Sequence, residues 1–111
     1  MGYRLNRQLV LETPTQVPDG AGGFTAGWTP LGTLWARITA RTGRETAAIG
    51  GPLSRVSYEI ITRGAAPGSE ARPLPNQRFR EGDRIFLILA VAEDDIDARY
   101  LVCTAQEEIV A

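Results

Sequence analysis

The sequence predicts an all-β fold, a small β-barrel of about five to six antiparallel strands with a long loop after the second strand. Three observations lead there. Apolar residues alternate at a period of two in several separate stretches, and no stretch sustains a helical period. Clusters of Gly, Pro, Asp and Asn separate those stretches. A chain of 111 residues that is 43% apolar has room for one hydrophobic core but not two, so residues 1–111 read as a single domain.

Taken in order, "RLNRQLVLET" places Leu5, Leu9 and Leu11 on one parity and reads as the first strand. It is expected to close at "PTQVPDGAGG", where two prolines, Asp19 and three glycines favour a turn or long hairpin loop. "FTAGWTPLGTLWARITA" follows; Gly27, Pro30 and Gly32 argue against a helix and for a bulged or broken strand. "ARTGRETAAIGGPLSR" is polar and rich in Gly and Pro, a long loop over about 41–55 with one helical turn at "RETAAI". "RVSYEIITRG" alternates cleanly, with Val56, Tyr58 and Ile60 against Ser57, Glu59 and Ile61. "QRFREGDRIFLILAVAE" reads as a short strand, a tight turn and a strongly apolar strand. The near-unbroken apolar run from Arg84 to Ala92 predicts burial on both faces, within a barrel or beneath a neighbouring subunit. After the acidic turn "DDIDARY", "RYLVCTAQEEIV" is a last strand with Leu101, Cys103 and Ala105 on one face. The expected core residues are Trp28, Trp35, Ile38, Tyr58, Ile60, Ile85 and Phe86.

Composition narrows the chemistry. Net charge is −1, so the overall field does not favour nucleic acid. All twelve cations are arginine, a codon-bias signature that also suits interfaces needing fixed, bidentate ion pairs. Histidine is absent and Cys103 is the only cysteine, which removes Cys–His and Ser–His nucleophilic sites, zinc sites and intrachain disulfides. A lone cysteine in "YLVCTA" is most often a small buried hydrophobe. No segment approaches the roughly 20 apolar residues of a membrane span and the N-terminus lacks an apolar signal region, so a soluble, intracellular chain is expected.

The segment "DGAGGFTAGWTPLGTLWARI" carries both tryptophans and five of the twelve glycines. A phosphate-binding loop would need a helix after its glycines, with backbone N–H groups converging on the anion. Here aromatic, β-like residues follow instead, and a hairpin tip is the better reading. The acidic set Glu93, Asp94, Asp95 and Asp97 lacks calcium-loop spacing and reads as a solvated turn, so no metal site is expected. Arg37, Arg41, Arg44 and Arg55, against the single acid Glu45, make one locally basic segment. In a monomer this is a solvated loop. Repeated around a ring, it would line a hole with guanidinium groups able to meet phosphates without reading sequence.

The order of these features resembles the head–tail joining proteins of tailed phages, the head-closure or stopper family that also serves gene transfer agents. Asp19, Gly20, Gly23 and Trp28 match the family's turn-then-tryptophan pattern, and Trp35, Ala36 and Ile38 its following strand. Arg44 and Glu45 match the charged pair after it, and Gly82 with Arg84, Ile85 and Phe86 its hairpin. "TAAIGGPLSR" departs from the family's more helical or Gln-rich run there. The resemblance implies a non-enzymatic connector with no cofactor. Copies would form a hexameric or dodecameric ring between the portal–adaptor ring on the head side and a tail terminator or tail-completion ring. Arg41, Arg44 and Arg55 would face packaged double-stranded DNA in the channel. Asp19, Gly20 and Gly23, or Glu93, Asp94 and Asp95, would contact neighbouring rings. Such a protein is made in the bacterial cytoplasm and ends in the particle neck, away from membranes. The alternative from another class is a monomeric small-barrel module that binds nucleic acid or peptide; it would display aromatics on a basic sheet face, whereas these aromatics sit among apolar residues.

Overall fold

The computed structural model describes residues 2–41, 53–94 and 99–110, with only the strand backbone given for 53–55 and 108–110. Six antiparallel strands run in the order β1 (Arg7–Pro18), β2 (Phe24–Ala40), β3 (Leu53–Arg63), β4 (Arg78–Glu81), β5 (Arg84–Glu93) and β6 (Tyr100–Val110). They close a barrel in the cyclic order β1-β2-β3-β6-β5-β4, and no helix occurs among the described residues. Closure leaves no free edge around the barrel itself.

Period-two patterning builds the interior. Leu9 and Leu11 of β1, Ile60 of β3, Phe79 of β4, Phe86 and Ile88 of β5, and Cys103 and Ala105 of β6 are all buried in one cluster. Burial pushes the Cys103 thiol up to about 12, so it is a packed apolar group with no thiolate character. The β4–β5 hairpin turns at Gly82 with φ 60, the first central position of a two-residue loop, where a type II′ turn places glycine.

The second strand is bulged. Leu11 faces Gly32 and Glu12 faces Pro30, leaving Leu31 as the extra residue, and Gly32 has φ 156, a backbone region essentially confined to glycine. β1 does not stop at Pro14 as the sequence suggested. It continues through Pro14 and Pro18, paired with β2 from Thr29 to Phe24. Beyond Glu12 these strands pair only with each other, because β4 reaches β1 only from Val10 to Glu12 and β3 reaches β2 only from Ala36 onward. The result is a two-stranded arm projecting from the barrel, and the molecule extends over 52 × 35 × 23 Å. Prolines are tolerated there because outward-facing N–H groups of an edge strand have no ladder partner to lose.

Two core expectations are corrected. Trp35 is 54% exposed and Trp28 36% exposed, so neither belongs to the core. In register, Trp35 alternates with inward-facing Leu34 and Ala36 and therefore points out, while Trp28 lies on the arm, beyond the barrel. The smaller Ala36 fills the interior position instead. Of the others, Ile60 and Phe86 are fully buried, Ile38 and Tyr58 pack against the cluster half-buried, and Ile85 is half-buried on the other parity. β5 is likewise not buried on both faces, since Leu87 and Leu89 are exposed at 38% and 45%. The β2–β3 loop is also shorter than expected at its far end, because β3 begins at Leu53. The helical turn expected at "RETAAI" falls outside the described residues.

Candidate functional site

The antiparallel order gives the barrel two unlike poles. At one, β1, β3 and β5 begin and β2, β4 and β6 end; at the other, the arm leaves the barrel, β3 and β5 end, and β4 and β6 begin.

That first pole is plugged by inward-facing charge. Arg7 donates from Nε to Glu81 at 2.8 Å in a two-pronged pair. Arg84 grips Glu107 through Nε at 2.8 Å and Nη2 at 3.0 Å, and the Tyr58 hydroxyl donates to the same carboxylate at 3.1 Å. The Arg84 guanidinium also lies 4.9 Å from the centre of the Phe86 ring, which meets Tyr58 edge-on at 5.2 Å. Hydrogen bonds from Arg84 hold Glu107 below the usual carboxylate range despite its burial, and Arg7 does the same for Glu81. Burial, and then the bond to Glu107, raise the Tyr58 hydroxyl. Among the described residues no buried side-chain polar atom lacks a partner, so the plug is a satisfied network.

Arg41 stands at the rim of this pole. Its Nη1 lies 2.6 Å from Glu59 Oε2, an exposed pair with which any phosphate would have to compete. Arg55 sits on a backbone extension of β3 and β6 past the plug, in register with Glu108. Arg44 lies outside the described residues. Arg37 points out from β2, 5.8 Å from the Tyr3 ring. The structure therefore brings Arg41 and the Arg55 backbone to one pole.

The expected neighbour-contact residues that the structure describes lie at the opposite pole. Asp19 starts the arm's tip; its Oδ1 accepts from the backbone N–H groups of Ala21 (2.8 Å) and Gly23 (3.1 Å), and these bonds hold its carboxyl below the usual range. Gly20 occupies this tip at φ 82. Glu93 approaches Arg72 at 3.8 Å, and Asp94 accepts from the Tyr3 hydroxyl at 2.7 Å. Asp95 lies outside the described residues. The tip and the acidic turn thus share a pole, and two of the acidic groups are already engaged within the chain. No group of three or more metal-ligating side chains occurs among the described residues.

Sequence reasoning missed the arm's sidedness. Register partners share a face, so Pro14 with Trp28, Gln16 with Ala26, and Pro18 with Phe24 form one face, and Thr13 with Thr29, Thr15 with Gly27, and Val17 with Thr25 form the other. One face is thus apolar but for Gln16, and the other is mostly threonine. Phe24 on the apolar face is 65% exposed. At the arm's root the Arg78 guanidinium lies 4.1 Å from the centre of the Trp28 ring, while its Nε donates to Glu12 at 2.7 Å and Arg80 donates to the same carboxylate at 3.0 Å. Burial opposes ionisation of Glu12, but the two arginines outweigh it and leave its carboxyl below the usual range. The signal was present in the alternation of residues 24–30; it was hidden by reading residues 14–23 as loop.

Comparison with known proteins bears on what this geometry is for. A family model described as phage head completion protein matches residues 2–108. Among solved structures, a chain from the virion of a native gene transfer agent particle shares 51% identity with a TM-score of 0.86, covering 99% of this chain and 100% of that one. Protein SF1141 from Shigella flexneri 2a shares the fold at 21% identity and a TM-score of 0.66, over 94% of this chain and 93% of that one. No curated protein matches.

Proposed function

The chain belongs to the phage head completion protein family, with a structural role in completing a phage-like head, and from that premise we propose that it is a ring-forming head–tail connector subunit. The observation that carries this reading is the end-to-end similarity to a chain of a gene transfer agent virion. Copies of the barrel form a closed ring in the particle neck, between a portal–adaptor ring and a tail-side ring. The plugged pole, with Arg41 at its rim and the Arg55 backbone on β3 beyond it, faces the channel and the packaged DNA, and Arg44, between them in sequence, serves the same channel. Guanidinium groups repeated around such a ring hold phosphates without base recognition. The arm tip at Asp19–Gly23 and the acidic turn from Glu93 meet neighbouring rings from the other pole. No catalytic step belongs to this reading.

Two features support the arrangement. The poles differ in chemistry, as a subunit between two unlike rings requires. The barrel's own edges are closed, so contacts fall to the arm, the extended β3–β6 ends and the loops. The test is to make particles without this chain and add the purified protein back. The expected result is heads that lose DNA or fail to take tails until the protein is restored. Normal tailed, DNA-retaining particles without it would overturn the reading.

A further inference from the structure

The arm presents an amphipathic two-stranded ribbon whose apolar side is covered among the described residues only at its root, where Arg78 lies against Trp28. Pro14, Pro18, Phe24, Ala26, Trp28 and Pro30 share that side, and apart from Asp19 at the tip the ribbon beyond Glu12 carries no charge. Its edges are poor templates for strand addition, because Pro14, Pro18 and Pro30 remove donors. A partner must therefore use the face.

One other outward surface has matching chemistry. On β5, Leu87 and Leu89 are exposed, Ala90 and Ala92 lie beside them, and the β6 register partners of Leu87 and Ala90 are the uncharged Gln106 and Thr104. The charge in register with this patch, Arg78 opposite Leu87, is already engaged by Glu12 and Trp28. The remaining exposed apolar groups fit less well: Val17 stands on the arm's threonine face, Trp35 shares its hollow with Arg63, and Leu74 is set between two prolines. The arm and β5 faces do not cover each other within one chain, since both are exposed. We propose that the apolar face of the arm seats on the outer face of β5, around Leu87 and Leu89, in the next copy of this chain. The partner is a second copy because both halves of the contact are present on every subunit, and both lack charges that would be stranded on burial. Such a contact joins two different surfaces. Made in one direction only, it repeats from copy to copy and closes a ring where the rotation permits, whereas two arms exchanged between two copies would give a reciprocal pair; the ring-forming reading selects the first. This inference rests on the ring-forming reading above and supplies its subunit contact.

The test uses a Phe24→Cys/Leu89→Cys double variant with a short bis-maleimide, applied both to concentrated protein and to protein bound to tail-less heads. The native Cys103 is buried and serves as its own unreactive control in the wild type. The expected result is a ladder of several cross-linked copies. A mixture of the two single variants should give dimers, and neither variant alone should. Dimers from Phe24→Cys alone, dimers as the sole product of the double variant, or cross-links from the arm to another particle protein would each overturn the proposal. So would monomers throughout, even with head binding intact. Binding of wild-type protein to heads is scored separately; a ladder in concentrated protein without head binding would leave the self-contact standing and remove the connector reading.

Discussion

At the scale of single residues, stability follows burial and partner satisfaction, and size alone is a poor guide. The largest fully buried side chains are Phe79 and Phe86, while both tryptophans are exposed. Phe86→Ala is therefore expected to cost about 3–5 kcal/mol. Trp35→Ala should stay within about 0.5 kcal/mol of wild type, as a surface substitution does; denaturant melts of the two variants check the contrast. Composition could show only that the tryptophans are large and apolar. It could not show which way they faced, because that depends on the bulge at Leu31, which fixes the parity of β2 against β1. The carboxylates make a second prediction. Glu12, Glu81 and Glu107 are all held below their ordinary value of 4.5, so the stability they supply is fully present above that value. It is lost as pH falls through their lower folded values. Thermal stability should be level near neutrality and fall below about pH 4.5, and less steeply in Glu107→Gln, which should also be destabilised at neutral pH by about 1.5–3 kcal/mol.

At the scale of elements, the arm separates folding from assembly. It contributes none of the buried core cluster, so changes on it should spare the barrel. Phe24→Asp is expected to melt within a few degrees of wild type yet fail to join particles; cosedimentation with heads measures the second property. A variant that unfolds would show that the arm's face packs within the subunit. The arm was half legible in the sequence. The glycine-rich tip and the returning strand could be read directly, but Pro14 and Pro18 disguised the outgoing strand. Proline ends an interior strand, and only knowledge of which strands lack outer neighbours reveals that it is harmless here. The unbroken apolar run of β5 misled in a related way. Period-two burial accounts for Phe86 and Ile88, whereas Leu87 and Leu89 are apolar and exposed, a combination that patterning within one chain cannot distinguish from burial on both faces.

At the scale of the whole molecule, closure of six strands leaves two distinct ends, and the function is assigned to their difference. The all-β class and the hairpin order were readable because period-two stretches and turn chemistry agree along nearly the whole chain. The meeting of Arg7, Glu81, Arg84, Glu107 and Tyr58 was not, since it joins residues up to 100 positions apart through barrel closure. Arg41→Ala with Arg44→Ala should leave the fold intact, because among the described residues the Arg41 side chain makes only an exposed pair, and should weaken DNA retention in assembled heads. Retention assayed by nuclease protection reports this directly. The central claim, a ring at the neck, is tested most directly by imaging tail-less heads incubated with the purified protein. The account predicts a ring of stoichiometric density at the portal vertex, with each arm lying across its neighbour. Unchanged vertices, with the protein left free in solution, would contradict it.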